Sequence, residues 1–234
     1  MKYRILGTVA ALALMVSTSA NAVLIDDFSD TQSLAATIVG IPVSSTIAGG
    51  MIGGEREMTI TQDTGSGSLI DVNPAGALGN LLLQNGNGFS TSVLLYDGVG
   101  TGTLLPTDMT EAATQNAFLF SILASDFPTN IEMVATSASG SSSLTQSSGG
   151  LIVSPTPLAF EFASFIGAAD FSAIESIQIT LTSTNNLGDL RLDLLQTTNT
   201  EPPIILVPEP ASLAILGIGL IGLAGIRRRR NKTA

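Results

Sequence analysis

The chain of 234 residues contains no cysteine, no histidine and no tryptophan. Without thiols or imidazoles it has no disulfide staple, no cysteine nucleophile, no histidine base, no imidazole- or thiolate-ligated metal and no c-type haem attachment. Positive charge is almost as scarce in the middle of the chain. Seven of the nine basic residues, Lys2, Arg4, Arg227, Arg228, Arg229, Arg230 and Lys232, lie in the first four or the last eight positions. From Val23 to Val207 only Arg56 and Arg191 stand against eighteen carboxylates, a balance of about −16. Nucleic acid is excluded as a partner, because binding it requires Lys and Arg to displace counterions from phosphate. The length fits one ordinary domain with appendages.

The appendages come first. Residues 1–22 read as a signal peptide: a basic start at Lys2 and Arg4, an apolar stretch from Ile5 to Val16, and small residues ending in Ala20-Asn21-Ala22. Ala20 and Ala22 form the A-x-A pattern that signal peptidase accepts, which predicts cleavage after Ala22. The twelve apolar residues of the stretch span about 18 Å as a helix, against about 30 Å of hydrocarbon, so they are too short for a permanent anchor.

The other end has three parts. In the linker 201–210, Pro208-Glu209-Pro210 can neither continue a helix nor pair inside a sheet, and so forms an extended strip open to a processing enzyme. Residues 211–226 carry no charge over sixteen positions, about 24 Å of helix, enough for a transmembrane segment if flanking arginines snorkel. Arg227, Arg228, Arg229 and Arg230 open the basic tail 227–234, a positive-inside stop that keeps the C-terminus in the cytoplasm and the body outside the inner membrane.

This ending, from Val207, Pro208, Glu209 and Pro210 through Ala-Ser-Leu-Ala and a glycine-spaced apolar run to the four arginines, resembles the PEP-CTERM sorting signal of bacterial exported proteins. The resemblance implies recognition by an exosortase, cleavage near the Pro-Glu-Pro, and delivery of the body to the cell surface or beyond, in bacteria that make extracellular polysaccharide. Gly217-x-Gly219-x-x-Gly222 spells a dinucleotide-binding fingerprint. It lacks the strand and turn that the motif needs, and small residues in a membrane span serve helix approach instead.

The body, 23–200, reads as all-β. Short alternating apolar runs recur between clusters of Gly, Ser, Asn, Asp and Pro, with strands expected at 24–28, 55–61, 68–72, 80–84, 91–96, 117–123, 132–137, 142–147, 158–162, 176–182 and 190–196. Their number and spacing predict a two-sheet, jelly-roll-like β-sandwich. A hairpin is expected to pair Ile177, Ile179 and Leu181 with Leu190, Leu192 and Leu194 across Asn185, Asn186 and Gly188. The opening Leu24-Ile25-Asp26-Asp27-Phe28-Ser29-Asp30 and the closing strands resemble carbohydrate-binding jelly rolls, in which first and last strands share a structural calcium. That resemblance implies Asp26 or Asp27 with Asp189 or Asp193 as oxygen ligands; calcium suits an acidic body.

No catalytic constellation emerges. Asp63-Thr64-Gly65-Ser66 spells the aspartic-protease tetrapeptide, but the chain has no second copy to supply the facing carboxylate that this chemistry requires. A glycosidase needs two facing acids, and eighteen of them select no pair. The two lone cations say more. Arg56 shares a strand face with Met58 and Ile60, so it points inward or lines a concave face, and an inward arginine demands a carboxylate. Arg191 shares its face with Asp189 and Asp193, an exposed charge ladder opposite Leu190, Leu192 and Leu194. Arg56 and Tyr96, the single tyrosine of the body, are the candidates for ligand contact; Tyr96 also fits the end of a strand before the Asp97-Gly98 turn. The expected function is that of an exported, non-catalytic surface or extracellular-matrix protein. The alternatives are a calcium-dependent carbohydrate-binding module and a secreted polysaccharide hydrolase or lyase.

Overall fold

Alternation governs the strands. In β4 (Glu55–Gln62), Arg56, Met58, Ile60 and Gln62 are buried while Glu55, Glu57, Thr59 and Thr61 face outward, because successive side chains of a strand point to opposite faces. The computed structural model describes residues 22–74, 79–100, 102–183, 185 and 188–200. Residues 1–21 of the signal peptide, Ala20 among them, the sorting strip Val207 to Pro210, the apolar segment 211–226 and the arginines 227–230 lie outside the described residues. Among the described residues no helix is long and apolar enough to cross a membrane.

The described residues form two antiparallel sheets. The first runs β11 (Thr156–Glu161), β8 (Ala117–Ser125), β14 (Asp189–Thr198), β6 (Asn80–Asn87), β5 (Ser66–Val72), β2 (Gln32–Ala36), with β1 (Leu24–Asp26) also paired to β14. The second runs β12 (Ile166–Gly167), β10 (Gly140–Ser147), β9 (Thr129–Ser137), β13 (Ile174–Ser183), β7 (Ser90–Tyr96), β4, β3 (Pro42–Ala48). The chain passes repeatedly from one sheet to the other, and the inward rows of both meet in one core that includes Met58, Ile60, Leu81, Leu83, Leu94, Phe118, Phe120, Met133 and Phe160. The expected two-sheet, jelly-roll-like sandwich is therefore present, with each predicted strand within a few residues of an observed one.

The expected hairpin is not. β13 pairs with β7 and β9 in the second sheet, whereas β14 pairs with β1, β6 and β8 in the first. The physical reason is burial: Ile177, Ile179 and Leu181 from one strand and Leu190, Leu192 and Leu195 from the other all enter the same core. Two apolar rows facing each other across a sandwich cover one another, while side by side in a hairpin both would still need a cover. Leu194 also leaves the inner row. Its φ of 49° sits at a register shift between Asp193 and Leu195, which hands the inward position to Leu195.

The two ends of the described chain meet. Leu24 lies opposite Gln196, the amide of Val23 donates to the Thr197 hydroxyl at 2.8 Å, and the Thr197 amide donates back to the Val23 carbonyl at 2.9 Å.

Candidate functional site

Three polar groupings compete for attention, and their burial separates them. The first is enclosed. Arg56 Nη1 donates to Asp26 Oδ2 at 2.6 Å, Nε to Gln32 Oε1 at 2.9 Å and Nη2 to the Asp30 carbonyl at 2.8 Å. Tyr96 Oη donates to the same Asp26 oxygen at 2.9 Å, and Asp26 Oδ1 accepts the Phe28 amide at 2.7 Å. Gln32 Nε2 continues the chain of bonds to the carbonyl and hydroxyl of Ser45, both at 2.9 Å. Burial pushes the Tyr96 phenol well above its ordinary value, and the neighbouring Asp26 charge pushes it further.

This network meets one expectation and corrects two. The inward arginine has its carboxylate partner, as the cost of burying a lone charge requires. Ligand contact by Arg56 and Tyr96 is ruled out by their complete burial: both are 0% exposed, so no ligand in solution reaches them. Asp26, 1% exposed and already accepting three hydrogen bonds, is likewise closed to a cation from solvent.

The second grouping lies on the open face of the first sheet. Asp189, Arg191 and Asp193 alternate outward along β14, half-buried, opposite Gln84, Leu82 and Asn80 of β6. Arg191 Nε donates to Asn80 Oδ1 at 3.0 Å, while Asn80 Nδ2 is buried without a partner among the described residues. Burial raises the carboxyls of Asp189, with Asp126 adding to it, and of Asp193, with Asp27 adding to it against Arg191. Asp71, on β5 across Leu82, is raised by burial too. Asp27 is held low, chiefly by the Ser29 hydroxyl and then by its amide.

Of the expected calcium pairing, Asp26 or Asp27 with Asp189 or Asp193, the buried Asp26 is closed, while Asp27 lies near enough to Asp193 to help raise its carboxyl. Among the described residues no group of three acidic side chains is placed to hold a metal.

The third grouping is the tetrapeptide at Asp63. Asp63 Oδ2 accepts the Thr91 hydroxyl at 2.8 Å, and Gly65, at φ 72°, packs against the Asn87 carbonyl so closely that no Cβ fits. Close packing of the β4–β5 turn on the β6–β7 turn accounts for the glycine without catalysis. Gln32, Asn80 and Gln115, another buried glutamine, were not singled out by spacing or motif; only the alternation of β2, which buries Gln32 with Leu34 and Ala36, carried a signal for one of them.

Outside the described residues, positions 206–230 match the PEP-CTERM protein-sorting motif. The chain carries a PEP-CTERM sorting signal. A chain bearing this signal is exported, and the match spans the Pro-Glu-Pro, the apolar run and the four arginines. No curated protein sequence matches the chain. Among solved structures the chain is similar to the family 11 carbohydrate-binding module of a cellulosomal cellulase of Clostridium thermocellum, at 14% identity over 78% of this chain and 98% of that one, TM-score 0.39. It is similar to CtCBM11 at 16% identity over 80% and 99%, TM-score 0.42. It is also similar to an exo-beta-agarase at 13% identity over 78% of this chain and 25% of that one, TM-score 0.40.

Proposed function

We propose that this PEP-CTERM chain is a non-catalytic protein of the cell surface or extracellular matrix. Signal peptidase cuts after Ala22; the segment 211–226 then holds the chain in the inner membrane with Arg227 to Arg230 on the cytoplasmic side. An exosortase cuts near Pro208-Glu209-Pro210, and the sandwich is released outward. The match at 206–230 carries this reading. Mass spectrometry of the protein recovered from outside the cell tests it: the expected mature chain begins at Val23 and lacks the four arginines, and a surface form that retains them overturns it.

A second reading, binding of a neutral polysaccharide, draws on the ladder of β14. Carboxylates lifted by burial have lost water and want donors, and Arg191 offers donors beside them. Sugar hydroxyls are donor and acceptor at once, and the acidic body repels anionic polymers. Retention of the processed protein on immobilised neutral glucans or galactans, lost in Arg191→Ala and unchanged by chelator, is the expected result; no retention on any neutral polymer removes the reading.

A further inference from the structure

Beside the β1–β14 pairing lies an open cavity of about 460 Å³ whose walls include Ala22, Gln115, Gln196 and Thr197. Its lining holds hydroxyls and amides and no charged side chain. Gln115 is 7% exposed, and its Oε1 is buried without a hydrogen-bond donor among the described residues. A buried carbonyl oxygen with no donor costs about 1–3 kcal/mol, so the position calls for a donor that the described residues of the uncut chain do not supply. The segment leading into it is unusual as well. Glu111, Ala112 and Ala113 have φ of 46°, 56° and 67°, a left-handed turn of three non-glycine residues ending two positions before Gln115.

A donor lies next to these walls, at Val23, the residue after Ala22. The backbone nitrogen of Val23 already lies 2.8 Å from Thr197 Oγ1. Hydrolysis of the Ala22–Val23 bond places the hydroxyl of water on the Ala22 carbonyl carbon, which departs with the leader. The Val23 nitrogen stays behind as a primary amine and takes up a proton, since an ordinary α-amine titrates near about 7.7. One amide hydrogen becomes three ammonium hydrogens, and Ala22, one wall of the cavity, is removed.

We propose that this cavity is a receptor for the chain's own new N-terminus, a primary ammonium group. Thr197 Oγ1 takes one hydrogen and Gln115 Oε1 a second, both as charge-assisted bonds. The nearby charged groups are carboxylates. Glu161 Oε1 accepts the Thr200 hydroxyl at 3.3 Å just past the cavity wall. Removal of the leader thereby locks β1 onto β14. The inference rests on cleavage after Ala22.

The test uses the exported, processed protein. From Val23 to Val207 the sequence has no lysine, so the α-amine is the one primary amine an acylating reagent can find. N-terminal sequencing comes first: a chain beginning elsewhere than Val23 overturns both the processing reading and the proposal. For a chain that does begin at Val23, the expected result is acylation at pH 7.5 about sixfold slower in the folded than in the urea-unfolded protein, as a rise of about one unit from a pKa of about 7.7 requires. Gln115→Ala brings the pH midpoint of acylation back toward the unfolded value. Gln115→Glu, which keeps the shape, moves it further up. Equal rates folded and unfolded, or a midpoint that ignores both substitutions, overturn the proposal while leaving the processing reading intact.

Discussion

Arg56 on β4 and Asp26 on β1 stand 2.6 Å apart and tie the second sheet to the first through the middle of the core. Two buried charges in contact are individually costly, so the pair is better at specifying which strands face each other than at adding net stability. Removing one partner strands the other. Asp26→Asn or Arg56→Leu is expected to cost about 3–5 kcal/mol, whereas the double change Asp26→Leu with Arg56→Met should recover most of that loss. Urea unfolding of the three variants measures it. Equal losses in the single and double variants would show that the pair does not act as a unit.

Tyr96 shares the Asp26 oxygen and makes the fold sensitive to alkali. Its folded phenol titrates well above that of the unfolded chain, so the native state holds this proton more tightly. The contribution is complete below about pH 10 and falls by about 1.4 kcal/mol per pH unit above it, until the folded phenol itself ionises. The only other tyrosine is Tyr3, which the proposed cleavage after Ala22 removes, so phenolate absorbance of a chain beginning at Val23 reports Tyr96 alone. A smooth titration near pH 10 without loss of structure would contradict the prediction; a single step coincident with unfolding is expected.

The left-handed turn at 111–113 carries strain that glycine relieves. Ala113, at φ 67°, is exposed, so its methyl contributes no packing. Ala113→Gly should stabilise by about 1 kcal/mol, because an L-residue costs about 1–2 kcal/mol in this region and glycine almost nothing. A rise of a few degrees in Tm checks it, and a fall would place the backbone elsewhere.

Gly65 behaves in the opposite way. Its φ is 72°, and an added Cβ meets the backbone carbonyl of Asn87 across the turn. Gly65→Ala is expected to lose about 2 kcal/mol or more, since neither the dihedral nor the backbone yields cheaply. Asp63→Asn in the same tetrapeptide should cost much less, because Asp63 is exposed and its bond to Thr91 is a surface one. A protease reading of the tetrapeptide would require any proteolytic activity to vanish in Asp63→Asn.

The alternating strands were legible because each carries its burial in its own sequence. The partnering of β13 and β14 was not, since a short connection rich in Asn and Gly serves a hairpin and a crossing between sheets equally well, and only the shared core decides. β2 and β3 are hidden in the sequence for another reason. Gln32–Ala36 alternates but buries only Leu34 as a large apolar residue, between Gln32 and Ala36, and Pro42–Ala48 is an edge strand left mostly open to solvent, so the apolar contrast on which periodicity depends is weak in the first and missing in the second. Arg56 was readable as inward from its neighbours Met58 and Ile60. The identity of its partner was not, because Asp26 is thirty positions away and comes from the opposite sheet.

The pairing of Val23 with Thr197 joins residues 174 positions apart. A chain threaded outward from its N-terminus exposes β1 first and β14 last. β1 has no partner strand among the described residues other than β14, so it waits for nearly the whole body to emerge before it can pair. Closure of that seam is thus a late event in export, dependent on a long loop being brought together. A chain truncated before β14 would arrive outside with its first strand unclaimed, an edge that cell-surface proteases can find and intact molecules do not offer.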